Sequence, residues 1–304
     1  MANEILYSGL GDLRVAEVLD MQIQLILADR GSFFNHPAII NLGDKSGLGS
    51  TASKVPLVGL DGYDVMGAIS EGSATSNTAL TDASAVCTVA RQALQYQMSD
   101  LARGTDSIGV TNHQRIAQSL VASGVMRLQD MLANLVDNFA TTVGTTTLDL
   151  TLDDFVDATI SLDLLSVPGP YLAMLHPRQY GDLRNALVGA GGAIQYMDAT
   201  AAQLQLNGQG FKGSFLGVDI CQSSKVPTAN AGADRAGGMF GRGALAYATM
   251  TVPPDPFVPA IYSGPFMIEF ERDAAYALTK VVGNLYAGVI EVEDLRGVSI
   301  ITDA

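Results

Sequence analysis

The longest hydrophobic pattern in the chain is a helical one that covers residues 112–139. Apolar side chains recur there every three or four positions, a spacing that places them on one face of an α-helix. Thr111 or Asn112 is a suitable N-cap. Such a helix extends for about 40 Å, and its few charged residues imply that protein covers much of its circumference. The apolar stripe consists of Ile116, Leu120, Leu128, Leu132, Leu135 and Phe139, widened by Met131 and Val136.

A second helix is predicted to begin directly after Thr151. The threonine hydroxyl can cap the helix, and Asp153 and Asp154 in the first turn are favoured by the helix dipole. The Pro-Gly-Pro sequence at 168–170 ends this helix. Tyr171–Leu175 is then a short apolar run, typical of a buried strand.

A third helix is predicted over 177–189. Pro177 stands where a first helical residue is favoured, and Gly189 ends the helix. Tyr180, Leu183 and Leu187 line one face of it.

Period-two patterns predict strands elsewhere in the chain. Even-numbered residues from Val86 to Met98 predict one strand that turns this face toward a core. Leu216, Val218 and Ile220 alternate in the same way, and 244–250 forms another strand-like run. The last forty residues consist largely of strand-like segments. The expected fold class is therefore α+β, with mixed α/β elements.

Two long stretches lack the apolar anchors of a self-sufficient unit. Residues 1–50 are rich in turn formers and predict an extended arm. Residues 51–105 predict a long β-hairpin or loop that projects from the body. A projecting hairpin does not bury its own surface, so it needs a neighbour.

The composition supports burial against other subunits. Charged residues make up only 16% of the 304 positions, against a typical quarter, and no run approaches the eighteen or so apolar residues of a spanning helix. The net charge is −14, and the cations are dispersed along the chain, which argues against tight nucleic-acid binding. Cys87 and Cys221 have the apolar surroundings of reduced, buried thiols.

The sequence predicts no catalytic, cofactor-binding or metal site. Asp153–Asp154 is interpreted as a helix start, and the acids at 291–294 as a solvated turn. His176 is interpreted as a strand-to-helix junction residue rather than a general base. The chain lacks a nucleophile elbow, a zinc-protease motif and a phosphate-binding loop.

The order of several short motifs resembles the major capsid proteins of tailed bacteriophages with the Hong Kong 97-type fold. The resemblance covers nearly the whole chain from about residue 50. Its motifs are Ser70-Glu71-Gly72 within a long loop, Gln97-Met98-Ser99-Asp100 at a strand end, the helix of 112–139, Leu175 to Tyr180 with Leu183, Gly213 to Ile220 with Ser223 to Pro227, Gly238 to Ala244, and Glu271-Arg272-Asp273.

The resemblance implies a division into five parts. Residues 1–50 correspond to an N-terminal arm, and 51–105 to an extended loop laid across a neighbouring subunit. Residues 106–150 form a peripheral domain with a long spine helix. Residues 151–262 form an axial domain, and 263–304 supply strands that complete the peripheral and axial sheets.

The function implied by the resemblance is assembly of an icosahedral head shell that encloses packaged double-stranded DNA. The chain then acts in the virion, is assembled in the host cytoplasm as hexamers and pentamers, and has scaffolding, portal and decoration proteins as candidate partners. It needs no cofactor, membrane or sequence-specific DNA contact. The candidate inter-subunit contacts are Tyr63, Glu71, Arg91, Glu271, Arg272 and Asp273.

Two departures from family patterns and three alternatives accompany this interpretation. No long charged scaffolding segment precedes the arm, so scaffolding is expected from a separate protein or is absent. Lys54 lies at the foot of the loop, so no covalent cross-link between subunits is expected.

The nearest alternative is an encapsulin-like nanocompartment shell with enzyme cargo. The others are a tail-tube component and a cytoplasmic oligomeric α/β enzyme.

Overall fold

The structure is a computed structural model that describes residues 35–58, 71, 82–101, 110–189, 196–198, 200, 210–255 and 260–303. These residues form three α-helices, α1 (Val110–Ala133), α2 (Leu152–Leu164) and α3 (Pro177–Gly189). Short 3₁₀ helices cover Val136–Asn138, Asn230–Gly232 and Asp294–Arg296. The strands are β1 (Ile40–Asp44), β2 (Ala52–Val58), β3 (Asp82–Thr88), β4 (Ala90–Ser99), β5 (Thr142–Val143), β6 (Tyr171–Leu175), β7 (Tyr196–Asp198), β8 (Phe211–Phe215), β9 (Val218–Gln222), β10 (Thr228–Ala229), β11 (Asp234–Phe240), β12 (Leu245–Thr249), β13 (Ala260–Ser263), β14 (Phe266–Asp273), β15 (Leu278–Glu291) and β16 (Gly297–Asp303).

The first sheet is organised around the long strand β15. Its path runs β1-β12-β15-β14-β13, and β4 also pairs with β15. The β15 strand is antiparallel to β4, β12 and β14, whereas β1 is parallel to β12. The closing β-rich segment predicted from sequence is therefore the centre of a sheet.

The second sheet contains all the strands from β5 to β11, together with β16. Its order is β5-β16-β11-β6-β9-β8-β7, with β10 paired to β11. The β6–β9 and β5–β16 pairs are parallel, and the other pairs are antiparallel. The last strand, β16, thus returns to complete a sheet begun 150 residues earlier in the chain.

The hairpin β2–β3 forms a separate two-stranded sheet. Its register pairs Ala52 with Thr88 at the base and Val58 with Asp82 at the far end. Residues 59–70 and 72–81, which join the two strands, lie outside the described residues. A two-stranded sheet is at best marginally stable alone, so this hairpin needs a further surface to bind.

The first hydrophobic core lies between α1 and the first sheet. Leu120 and Val121 of α1 pack with Ile268 and Val281 of the sheet. Two glycines permit the close approach of helix and sheet. A Cβ on Gly124 would lie 2.4 Å from the Phe266 ring, and one on Gly283 would lie 3.0 Å from the Leu120 Cβ.

The second core lies where α2 and α3 cover the second sheet. Phe155, Leu162 and Leu183 are buried there against strand residues such as Ile220 and Ile300. The predicted start of α2 is confirmed, because Thr151 and Asp154 form a capping box. The predicted strand at 171–175 and the helix from Pro177 to Gly189 are also confirmed.

The predicted length of the long helix is wrong at its C-terminal end. The α-helix stops at Ala133, and the chain continues through a turn into the 3₁₀ helix Val136–Asn138. Val136 and Phe139 are nevertheless buried in the same core as Leu132. Because Val136 and Phe139 continue the helical spacing of apolar residues, the sequence pattern gave no sign that the α-helix ends at Ala133. The helix also begins at Val110, so Thr111 and Asn112 lie inside it.

Two strand predictions also need correction. Leu216 is not a strand residue but forms a tight turn with Gly217, and both have positive φ values, of 52° and 78°. The segment from Val86 to Met98 is divided at Val89 into β3 and β4, which belong to different sheets.

The face of that segment predicted to be buried is exposed. Val86 is 43% exposed and Leu94 is 41% exposed, whereas Cys87 and Val89 on the opposite parity are buried. Period-two alternation identifies an apolar face, but it does not identify what covers that face.

Candidate subunit-contact surface

The face of β4 that was predicted to be buried in a core is exposed, and this is the largest difference from the sequence prediction. In the described part of the chain, β4 pairs with β15 along one edge, and its other edge has no partner strand. Leu94 and Tyr96 leave 41% and 36% of their surface exposed. An unpaired strand edge beside apolar side chains is a ready template for another chain.

Arg91 lies on this strand and makes a specific contact across the sheet. Its Nε donates a hydrogen bond to Asn284 Oδ1 at 2.7 Å. Arg127 on α1 donates from Nε to Gln92 Oε1 at 3.2 Å and from Nη1 to Asp130 Oδ2 at 2.8 Å. Because successive strand residues point to opposite faces, the Arg91 and Arg127 contacts lie on opposite faces of the β4–β15 pair.

The predicted acidic-basic-acidic cluster lies at the far end of the β14–β15 hairpin. Arg272 makes two hydrogen bonds to the Asp100 carboxylate, of 2.8 and 2.6 Å. Lys280 lies 3.1 Å from Asp273 and 3.9 Å from Glu271. The hydrogen bond and charge of Lys280 lower the pKa of Asp273.

These ion pairs form within one chain, although Glu271, Arg272 and Asp273 are candidate inter-subunit contacts in the sequence analysis. Asp100 and Arg272 are 172 positions apart, so nothing in the local sequence indicated that they meet. Both side chains remain nearly half exposed, and Glu271 is 66% exposed. The cluster is therefore an exposed, pre-paired charge surface.

The remaining predicted contacts lie in the hairpin loop. Glu71 is exposed in a turn, and Tyr63 lies outside the described residues. The structure thus places Glu271 and Asp273 beside Lys280, and Arg272 beside Asp100. Arg91 lies separately at the β4–β15 pair.

Comparisons of sequence give no relatives. No protein-family model matches the chain, and no curated protein matches it either.

Comparisons of structure give consistent matches along most of the chain. The capsid of cyanophage Pam1 matches with a TM-score of 0.60 at 14% identity, over 90% of this chain and 93% of that one. A chain of Mycobacterium phage Che8 matches with a TM-score of 0.55 at 16% identity, over 82% and 84%. The SrpI encapsulin of Synechococcus elongatus matches with a TM-score of 0.62 at 14% identity, over 87% and 85%.

The chain has the Hong Kong 97-type fold. The predicted fold class is thereby confirmed, including its α+β character and its resemblance to phage capsid proteins. Because the sequence identities are low, these matches establish the fold and do not identify individual contact residues.

In this Hong Kong 97-type chain, the described part of the arm begins at residue 35. The next residue, His36, makes two polar contacts that the sequence did not reveal. His36 is 3% exposed, and its Nε2 lies 2.9 Å from Asp219 Oδ2, while its Nδ1 accepts a hydrogen bond from the Ala38 amide at 3.2 Å. This pattern places the ring proton on Nε2, directed at the carboxylate. The contact joins the arm to the β8–β9 hairpin of the second sheet.

Asp44 fixes the other end of β1. Its Oδ1 accepts hydrogen bonds from the backbone amides of Thr251 at 2.8 Å and Ser46 at 2.9 Å. Hydrogen bonds from Thr251, and then from Ser46, lower the pKa of Asp44 to about 2. The parallel β1–β12 pairing is thus held in register by a charged group.

His176, Cys87 and Cys221, the residues that were considered as reactive groups, occupy positions in the packed structure that do not favour reactivity. His176 lies between β6 and α3, and burial, followed by the charges of Arg235 and Arg178, lowers its pKa. Burial raises the pKa of both Cys87 and Cys221, which disfavours the reactive thiolate.

The described residues contain no group of three or more His, Cys, Asp or Glu that could hold a metal ion. Among these same residues, no helix is both long and apolar enough to cross a membrane.

Proposed function

We propose that this chain is a major capsid protein that self-assembles into the icosahedral head shell of a tailed double-stranded DNA phage. The observation that carries the proposal is the extent of the structural similarity. It covers 82–90% of the chain in matches to phage capsids, and a similar share of each capsid chain. A shared domain alone would leave large parts of one partner unmatched.

The surface of the chain supports assembly. The hairpin β2–β3 pairs only with itself among the described strands, and β4 presents an unpaired edge. Charged residues are scarce, at 16% of the sequence. Copies would bind through heterologous contacts, in which one patch meets a different patch on the next copy.

Each part of the chain has a role in this proposal. Residues 1–50 act as the N-terminal arm, 51–105 as the extended loop, 106–150 as the peripheral domain and 151–262 as the axial domain. Residues 263–304 complete the sheets.

The six candidate contact residues belong to inter-subunit surfaces in this proposal. The paired charges at 271–273 meet another subunit, together with Tyr63, Glu71 and Arg91. The role is structural rather than enzymatic.

The setting is the virion, after assembly in the host cytoplasm with scaffolding, portal and decoration proteins as partners. DNA is enclosed without sequence-specific binding. A net charge of −14 suits a container that repels packaged DNA more than it binds it.

A nanocompartment shell is the second candidate function, because the SrpI encapsulin matches with a TM-score of 0.62. The two candidates share the fold and differ in contents. A capsid is filled through a portal with DNA, whereas a nanocompartment encloses cargo protein.

Negative-stain microscopy of the purified chain tests the proposal, with the contents of the particles measured by absorbance and mass spectrometry. We expect closed shells that contain no dedicated cargo protein. Rods or rings would indicate a tail component, and a small dimer or tetramer would indicate an enzyme. Co-purification of one stoichiometric cargo protein inside closed shells would favour the nanocompartment.

A further inference from the structure

In its described part, the chain passes between the two sheets three times, and the three connections meet at one place, which we call the joint. The connections are, in chain order, residues 134–141 from α1 to β5, 241–244 from β11 to β12, and 292–296 from β15 to β16. Main-chain hydrogen bonds join the second connection to the third, from Gly241 N to Arg296 O at 3.0 Å and from Val292 N to Ala244 O at 2.7 Å.

Two side chains of the third connection bind the other two connections. Asp294 Oδ1 accepts a hydrogen bond from the Ala140 amide of the first connection at 2.8 Å. Arg296 Nη1 donates to the Arg242 carbonyl of the second connection at 3.0 Å. The contact between the first and third connections therefore depends on a carboxylate.

The joint contains more acidic side chains than basic ones. Glu291, Glu293 and Asp294 lie within four consecutive residues at the end of β15. Arg296 forms an ion pair with Glu293, and these two side chains are only 20% and 13% exposed. Arg242 is exposed and makes no ion pair within the described chain. Glu291 therefore faces Asp294 without a compensating cation.

Two carboxyl groups in contact favour a shared proton. The Glu291 side chain lies within hydrogen-bond reach of the side chains of Asp294 and Asn138. Burial, followed by the charge of Asp294 and the hydrogen bond to it, raises the pKa of Glu291. Asp137, the remaining charged residue of the first connection, is exposed and is also acidic. The folded chain thus favours the neutral form of Glu291.

We propose that the joint is a pH-sensitive contact, in which a proton shared by Glu291 and Asp294 holds Asp294 on the Ala140 amide, and in which loss of that proton weakens the contact. A second negative charge beside Asp294 repels it from the position in which it accepts the amide. The inference concerns a single chain, so it stands or fails independently of the proposed shell function.

The direction of the pH dependence follows from the raised pKa of Glu291. The stabilisation is fully present below the ordinary pKa of 4.5 and is lost as the pH rises through the raised value. The joint should therefore be firm in mild acid and weaker in alkaline solution.

Hydrogen exchange of the full-length protein tests the inference. Mass spectrometry with electron-transfer fragmentation resolves single amides, and a protection factor corrects for the intrinsic effect of pH on exchange. We expect the protection factor of Ala140 to fall about threefold between pH 4.5 and pH 8, the scale of a partly exposed charge pair. The Ala236 amide of β11, which donates to Pro227 O at 3.0 Å, is the internal control and should not change.

Two variants identify the group that holds the proton. Glu291→Gln keeps the size of the side chain without its charge, so Ala140 should stay equally protected at both pH values. Asp294→Asn retains an oxygen acceptor for the Ala140 amide and should also give a flat profile. Glu271→Gln, at a side chain that is 66% exposed on β14, is the matched control and should keep the threefold fall.

Three outcomes would overturn the inference. A constant protection factor for Ala140 in the parent chain would show that no group of the joint titrates in this range. A fall that persists in Glu291→Gln would assign the pH dependence to another group. Lower protection of Ala140 at both pH values in Glu291→Gln, with Ala236 still protected, would show that Glu291 is a structural hydrogen-bond partner and not a titrating one.

Discussion

Gln179 is a buried side chain that joins several elements of the second sheet. It is fully buried, and its Nε2 lies within hydrogen-bond distance of Arg235 O, Ile300 O and Thr302 Oγ1. Its Oε1 accepts from the His176 amide at 3.0 Å. One side chain thereby connects β11, β16 and the start of α3.

Replacing Gln179 with leucine should destabilise the subunit strongly. The variant leaves a buried amide and buried carbonyl groups without partners, and we expect a loss of about 2–4 kcal/mol in the free energy of unfolding. Urea unfolding of the unassembled subunit measures it. Gln97→Leu, at an exposed position of β4, is the control and should change the value by less than about 0.5 kcal/mol. Equal effects would show that the Gln179 network contributes little.

The Arg272–Asp100 pair tests whether the charge cluster serves stability or assembly. Both side chains are nearly half exposed, so Arg272→Asp should cost at most about 1 kcal/mol in subunit stability. If the cluster meets another subunit, the same variant should lower the yield of particles in sedimentation far more than this loss explains. The double variant Arg272→Asp with Asp100→Arg restores the pair within the chain. Full recovery of particle yield in the double variant would show that only the internal pair matters.

At the scale of elements, local signals were predictable and long-range contacts were not. The Thr151–Asp154 capping box and the Pro177 helix start depend on neighbours within a few residues, so the sequence displays them. The Arg91–Asn284 contact joins residues 193 positions apart, and the turn at Leu216 depends on its backbone conformation. Neither feature therefore had a sequence signal.

The packing of α1 on the first sheet depends on the absence of a side chain at Gly124. Gly124→Ala places a Cβ 2.4 Å from a Phe266 ring atom, so the helix or the ring must shift, at a cost of about 1–3 kcal/mol. Gly181→Ala in α3 is the matched control, since a Cβ there meets nothing within 4 Å. It should stabilise by up to about 1 kcal/mol because alanine favours helix. Thermal unfolding of both variants measures the difference, and stabilisation by both would contradict the close packing.

The β1–β12 pairing should depend on pH through Asp44. Its pKa is about 2 in the folded chain, below the ordinary value near 3.9, so the folded state favours the carboxylate. This stabilisation is fully present above the ordinary pKa and is lost as the pH falls toward 2. We expect Asp44→Asn to lose less melting temperature between pH 5 and pH 2 than the parent chain does. Parallel pH profiles would contradict this role for Asp44.

At the scale of the whole molecule, several features indicate a subunit that is incomplete alone. The hairpin β2–β3 forms its own two-stranded sheet, β4 leaves an edge unpaired in the described chain, and apolar residues on β4 are exposed. Individually such contacts are weak, but in the proposed shell each subunit would make many of them at once. Multiple simultaneous contacts give an assembly much greater durability than any single contact provides.

The most direct test of this account is the mass of the purified chain measured by sedimentation velocity over a range of concentrations. The account predicts a sharp transition from the 31.8 kDa subunit to one population of megadalton particles, with few intermediates. A single species that stays at the mass of a monomer, dimer or tetramer at every concentration would contradict it.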